Sequence, residues 1–160
     1  MVVSNTSPLM NLAIIARLDL LRHFYETIHV PEAVWNELVE QGAGKPGSEA
    51  IAAATWIQKH AVQNRHLVVA LREQLDAGES EAIALALERQ ATLILLDETE
   101  GRRVATSYGL VKTGVLGILL QAKKQGIISS LRAEMEKLQQ EAHFWISPPL
   151  FEKLLSSVAE

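Results

Sequence analysis

The sequence predicts an α/β fold: a three-layer α/β/α domain around a central, mostly parallel sheet. Three observations carry this. Short strand-like runs alternate with helical patterns along the whole chain, the arrangement of successive βαβ units. The clearest run, TLILLD at residues 92–97, is continuously apolar, as a strand covered by helices on both faces must be. Caps and stops (Ser, Pro, Gly) stand at the joins. At 160 residues, with 48% apolar and 21% charged, the chain suits one domain with an ample core. It has no cysteine, which excludes disulfides, thiolate metal sites and cysteine nucleophiles and suits a reducing, cytoplasmic setting. The first 21 residues lack a basic leader region and interrupt their apolar runs well before a bilayer span, so no membrane association is expected.

Val2–Thr6 reads as a first strand, ended by Ser7 as a helix cap with Pro8 in the first helical position. Leu9, Leu12, Ala13 and Ala16 continue this helix, and Leu18 to Phe24 a second apolar segment. Residues 27–30 read as a strand, and Pro31 opens a helix to Gln41 that Gly42 stops. A glycine loop follows, then an alanine-rich helix over 48–60 and a short strand at Leu67–Val69. Residues 78–90 form a buried helix around the unbroken run AIALAL. After the strand at 92–97 come helices at 99–108 and 115–125, stopped by Gly109 and Gly126, with a strand at 110–112 between them. A charged helix over 130–140, an edge strand over 144–147 and a helix after Pro148-Pro149 complete the pattern. Trp35, Trp56 and Trp145 fall in apolar patterns and are expected in the core.

Charge is distributed unevenly. The net charge of −4 is not the overall footprint of a nucleic-acid binder. Residues 65–100, however, hold eight acidic against three basic residues (net −5), and residues 101–137 seven basic against two acidic (net +5). A phosphodiester hydrolase uses such a pairing, carboxylates for a cation and Arg or Lys for the polyanion, although two solvated helix faces of opposite sign would read the same way.

In an open parallel sheet the site lies beyond the carboxyl ends of the strands. Four places there carry polar groups: Asn5; Asp97 and Glu98; Glu79 and Glu81; and Glu37. At 100° per residue Val34, Trp35, Leu38 and Val39 form one apolar arc with Glu37 on its shoulder and Glu40 opposite, so Glu37 can reach a cleft edge. Carboxylates gathered from separate segments repel one another unless a cation intervenes, and hard oxygen donors select Mg²⁺ or Mn²⁺. Taken singly, each also has an ordinary structural role: a helix first turn for Glu79 and Glu81, a strand end for Asp97 and Glu98, a turn for Asn5. Gly42, Gly44 and Gly47 match a G-x-G-x-x-G spacing, but after a helix and with Pro46 removing a backbone donor, so they form a loop. The five histidines show no ligand spacing.

The blocks VVSNTSPLMNLAIIARLDLL, VPEAVWNELVE, GESEAIALALE, LILLDETEGRRVATSYGL and TGVLGILLQAKKQGII, in this order and spacing, resemble a PIN-domain protein, and within that family the VapC-like branch of little-characterised prokaryotic proteins. The resemblance spans about residues 1 to 150, with 151–160 as a terminal helix of the same domain. It implies a ribonuclease using Mg²⁺ or Mn²⁺, often the toxin of a toxin–antitoxin pair, with RNA as substrate, an antitoxin as partner and a homodimer as plausible assembly. Carried over residue by residue, the first-strand acid falls on Asn5, the helix acid on Glu37, the acid opening the central helix on Glu81 and the last on Asp97 or Glu98. Asp97 is the favoured member of that pair, because neighbours on a strand point to opposite sides. Asn5 stands where the family usually has Asp: it offers a carbonyl oxygen without charge, and so holds a dication less strongly. Thr6 or Ser7 matches the family's small hydroxyl, which implies a contact to a substrate phosphate or a metal-bound water. Arg102, Arg103, Lys123 and Lys124 are candidates for RNA phosphates. A second reading follows from Asn5, a catalytically weak module that binds RNA or a protein partner without cutting.

Overall fold

The computed structural model describes residues 1–160. Strands β1 (Val2–Ser4), β2 (Ile28–Pro31), β3 (Ile57–His60), β4 (Leu93–Leu95) and β5 (Lys112–Thr113) pair in the order β3-β2-β1-β4-β5, every pair parallel. Parallel neighbours need crossover connections, and helices supply them: α1 (Thr6–Ile14), α2 (Asp19–Tyr25), α3 (Glu32–Trp35), α4 (Ser48–Ala53), α5 (Arg65–Leu71), α6 (Ala77–Glu88), α7 (Thr99–Ser107) and α8 (Val115–Lys124). The last of these, α8, follows β5 and connects no strands, and α9 (Leu131–Glu141) and α10 (Pro148–Ser157) come after it. None of these helices is long and apolar enough to cross a membrane.

The register places Val3 beside Ile94 and Ser4 beside Leu95. Alternation along these strands feeds two cores: Val3, Ile94 and Leu96 pack with α5, α6 and α7 on one face, and Leu95, Ile28 and Val30 with α1, α2, α8 and α9 on the other. The three-layer α/β/α expectation is therefore what the chain builds. Helix α6 lies between the sheet and α3 and α5, so Ala82 to Ala86 are fully buried, which explains their unbroken apolar run. Strand order runs outward in one direction from β1 to β3 and in the other from β4 to β5. The switch point, where ligands of open α/β sheets bind, thus falls between the carboxyl ends of β1 and β4.

Several expectations are corrected. Residues 57–60 form the edge strand β3 rather than the end of an alanine-rich helix: α4 stops at Ala53, Ala54 turns extended, and Ile57 to His60 find backbone partners on β2. Leu67–Val69 lies in α5, not in a strand. Asn64 accepts a hydrogen bond from the Leu67 N–H, and helical spacing buries Val68 and Leu71 while leaving Val69 outside. No strand forms over 144–147. Phe144 and Ile146 pack inward there, but the adjacent sheet edge, β5, pairs only with β4. The cap of α1 is Asn5 and not Ser7, which lies already within the first turn.

Trp35 and Trp56 are half-buried against the core as expected, whereas Trp145 is 79% exposed. The histidines do not all stand apart: His29 and His60, on neighbouring strands, meet at 2.7 Å between Nδ1 and Nε2. Away from the sheet, the Arg17 guanidinium donates twice to the buried Glu134 Oε1, at 2.6 and 3.0 Å, and ties the connection between α1 and α2 to α9. The terminal Glu160 accepts from the N–H of Leu131 at 2.7 Å, which holds α10 against the start of α9.

Candidate active site

Asn5 follows β1 and is 4% exposed. Its backbone N–H donates to the Leu95 carbonyl at 3.0 Å, which fixes it beside the end of β4. It caps α1 through its backbone alone, leaving its side chain for other work: Nδ2 donates to Glu98 Oε2 at 3.4 Å, and Oδ1 lies close to Gly78. Thr6 and Ser7, in the first turn of α1, both use their hydroxyls on carboxylates. Thr6 Oγ1 donates to Glu37 Oε2 at 2.7 Å, and Ser7 Oγ to Asp97 Oδ2 at 3.2 Å. Both hydroxyls thus orient acids of the cleft.

Glu37 enters the cleft from a π-helical turn, Asn36–Glu40, that continues α3 and closes with the Gln41 N–H donating to the Asn36 carbonyl at 2.7 Å. The sequence predicts ordinary helix to Gln41. The wider turn is a local departure of a kind concentrated at functional sites. Helix α6 meets this group with its amino-terminal turn. Asp76 and Glu79 form a reciprocal capping box, the Glu79 N–H donating to Asp76 Oδ1 at 2.8 Å and the Asp76 N–H to Glu79 Oε2 at 3.2 Å. Between them Gly78 admits the neighbours: a Cβ there would stand 2.8 Å from Glu37 Oε1 and 3.1 Å from Asn5 Oδ1.

Of the acids at this site Asp97 accepts the most hydrogen bonds. Its Oδ1 accepts from the Val115 N–H at the start of α8 at 2.8 Å, and its Oδ2 from Ser7 and, at 3.5 Å, from Asn11 Nδ2. Burial pushes its carboxyl above the ordinary range, while these donors and the nearby Arg102 pull it back. Burial likewise pushes Glu79 upward. Its bond from the Asp76 N–H works against this, and the charges of Asp76, Glu98 and Glu37 add to the rise. Glu98 is raised by desolvation and by the charges of Asp97 and Asp76.

Asn5, Glu37, Glu79, Asp97 and Glu98 thus gather at the switch point with Asp76 at their edge. Glu81 does not join them: its Oε1 accepts from the Ala33 N–H at 3.1 Å and its Oε2 pairs with Arg65 at 3.1 Å. Two residues along a helix are turned by about 200°, so Glu79 and Glu81 cannot share one cleft. Glu79 faces Glu37 and Glu98, and Glu81 serves the start of α3. Asp76 escaped the sequence reading, and the D-x-x-E spacing of a capping box is the signal that marks it. Of the expected phosphate contacts, Arg102 lies beside Asp97 with Nη1 on the Leu96 carbonyl at 2.9 Å, whereas Arg103 is engaged by Glu100 and Gln74 on the outer face of α7. Lys123 is turned to the Ser129 carbonyl and Glu160, and Lys124 is exposed at the end of α8.

The cluster fits a hard divalent cation in its donor chemistry. Its donors are oxygens only, and none of Glu37, Glu79, Asp97 and Glu98 has an ion-pair partner, unlike Glu81, Glu100, Glu134 and Glu160. No three of these side chains are already arranged as a ready-made metal site, so cation binding would draw them together.

The raised carboxyl of Glu79 yields a prediction. Its ionised form is disfavoured in the folded protein, a penalty absent below the ordinary carboxylate range that grows as pH rises through it. Glu79→Gln keeps an oxygen for the capping box and removes the repelled charge. Without metal it should melt a few degrees above the native protein at pH 7.5, with the difference gone at pH 4, as measured by thermal unfolding.

Comparison with protein families finds that a family model described as PIN domain matches residues 1–160. Comparisons with curated proteins and with solved structures give no match.

Proposed function

The chain belongs to the PIN-domain family, whose members are generally nucleases that typically use divalent metal ions, and from this premise we propose that it is an endoribonuclease dependent on Mg²⁺ or Mn²⁺. The observation that carries this reading is the set of carboxylates without cationic partners at the β1/β4 switch point. Glu37, Glu79 and Asp97 would hold the cation, Asn5 would add its neutral Oδ1, and Glu98 would stand at the solvent side. When bound, the dication supplies Lewis-acid stabilisation of the charge that builds on the phosphodiester oxygens.

The chain's own residues divide the remaining work. Thr6 and Ser7 hold Glu37 and Asp97 from the first turn of α1 and so restrict how these acids turn as a cation draws the cluster together. Arg102, anchored on the Leu96 carbonyl, offers its remaining N–H groups to a phosphate. Glu98, solvent-facing and raised in proton affinity, is the carboxylate best suited to take a proton from the attacking water. A place among VapC-like toxins, with an antitoxin as partner and a homodimer as assembly, belongs to the same proposal.

One residue favours a second reading. With Asn at position 5 the cluster has one negative charge fewer than the family pattern, which suits a module that binds RNA or a protein partner and cuts weakly. Incubating purified protein with labelled RNA in Mn²⁺, in Mg²⁺ and in EDTA separates the two. A nuclease cuts only with metal and faster as Asn5→Asp; RNA bound but left intact by both proteins would favour the binding module. Cleavage that persists in EDTA would remove the metal-dependent mechanism.

A further inference from the structure

Resting on the nuclease reading, we infer that the groove beside Asp97 is a subsite for one unpaired nucleobase and its phosphate on a single RNA strand, with Trp145 as stacking platform and Lys112 and Arg102 as phosphate contacts.

The groove, about 450 Å³, is lined by Asp97 together with Arg102, Lys112, Trp145 and Leu150, so whatever fills it touches the carboxylate cluster. Trp145 has the most exposed large apolar side chain of the chain, and no aromatic or cationic group packs on its ring. It is not exposed by looseness. The Phe144 N–H donates to the Leu138 carbonyl at 3.0 Å, Ile146 is buried, and Ser147 accepts from the Leu150 N–H at 3.3 Å to cap α10. A segment fixed on both sides therefore holds a bare indole face to solvent at the groove wall, and a flat π-face takes any base.

The charges select a polyanion. Lys112 sits in β5 with no ion-pair partner, and Arg102 uses one nitrogen on the Leu96 carbonyl and keeps the rest. On the opposite side of the cluster a second groove contains Glu37 and Asp76, with Lys45 as its cation. A strand crossing the site therefore finds its cationic track on the Trp145 side. Stacking on Trp145 requires a splayed base, which a duplex does not offer, so the subsite reads single strands or loops.

The test uses the full chain as native protein, Trp145→Phe, Trp145→Ala and Lys112→Gln, after thermal melts establish that each folds. Binding of a fluorescein-labelled ten-nucleotide single strand and of the corresponding duplex is followed by anisotropy in EDTA over a range of salt, and cleavage of the single strand is measured in Mn²⁺. The expected result is about tenfold weaker single-strand binding for Trp145→Ala, near-native binding for Trp145→Phe, and duplex binding unaltered by either. Lys112→Gln should lower the slope of log affinity against log salt by about 0.7, the loss of one phosphate contact. If native protein binds and cuts the single strand while Trp145→Ala and Lys112→Gln match it within twofold, the subsite is wrong and the nuclease reading stands. If the native protein neither binds nor cuts it, both fall. If sedimentation shows self-association that Trp145→Ala abolishes and RNA does not compete, the groove is an interface between copies and the inference is overturned.

Discussion

Asp97→Asn is expected to lower metal-dependent RNA cleavage by at least about a hundredfold, the scale on which removal of a key charge-stabilising group acts. The substitution does two things at once. It takes a negative charge from the cluster, and it places an NH₂ where an oxygen now accepts hydrogen bonds. If the new NH₂ takes the Oδ1 position it meets the Val115 N–H donor; if it takes the Oδ2 position it meets Asn11 Nδ2 and the Ser7 hydroxyl. Either way one donor faces another, so residue 97 loses its hold on the start of α8 in the first case and on α1 in the second. Cleavage of labelled RNA in Mn²⁺ measures the effect, with thermal melting to show that the variant folds. Activity within a few-fold of native would mean that Asp97 is a structural bracket between α1 and α8 and no part of the chemistry.

Gly114→Ala tests the same carboxylate from outside. Gly114 has an extended backbone, φ −133° and ψ −171°, that any residue can adopt, so conformational freedom is not why glycine stands there. Space is the reason. A Cβ would lie 2.5 Å from Asp97 Oδ1, 3.0 Å from the Leu96 carbonyl and 3.2 Å from Arg102 Nη1. The first of these can move only by leaving the Val115 N–H, and the second is backbone at the end of β4. The methyl should therefore cost about 1–3 kcal/mol of stability, the usual scale of overpacking, read as a lower denaturant midpoint. It should also cut metal-dependent cleavage substantially, because Asp97 is pushed from its place. Gly109→Ala supplies the contrast: nothing lies within 4 Å of its Cβ, and its cost comes from a φ of +77° alone, with the site untouched.

The layers of the fold were legible in the sequence because local and tertiary signals agree there. TLILLD reads as a buried strand and its Leu93–Leu95 form β4, and Gly109 and Gly126 stop their helices with φ of +77° and +73°. Where local preference and tertiary pairing disagree, the sequence misleads. The alanine-rich segment from Ser48 favours helix until β2 offers backbone partners to Ile57–His60, and the β-branched Val68-Val69 pair suggests a strand although Asn64 starts a helix. The candidate site divides the same way. Glu37 and Asp97 could be found from the shoulder of an apolar arc and from a strand end. Choosing Glu79 over Glu81 needed the angle between two residues of one helix, fixed only when the Asp76 cap sets where α6 begins and Arg65 takes Glu81. Trp145 read as core from its apolar neighbours. Phe144 and Ile146 do pack inward, and the alternation between them turns Trp145 out.

The most direct measurement is calorimetric titration of Mn²⁺ into native protein, Asn5→Asp, Glu37→Gln, Asp97→Asn and Glu81→Gln. If the unpaired carboxylates form a divalent-cation site, native protein binds Mn²⁺, Asn5→Asp binds it tighter through the added charge, and Glu37→Gln and Asp97→Asn bind it at least about tenfold more weakly. Glu81→Gln binds as native protein does, because Arg65 and the Ala33 N–H already occupy that carboxylate. Absence of Mn²⁺ binding to both native protein and Asn5→Asp, or binding that survives Glu37→Gln and Asp97→Asn but is lost in Glu81→Gln, would contradict the assignment of this cluster.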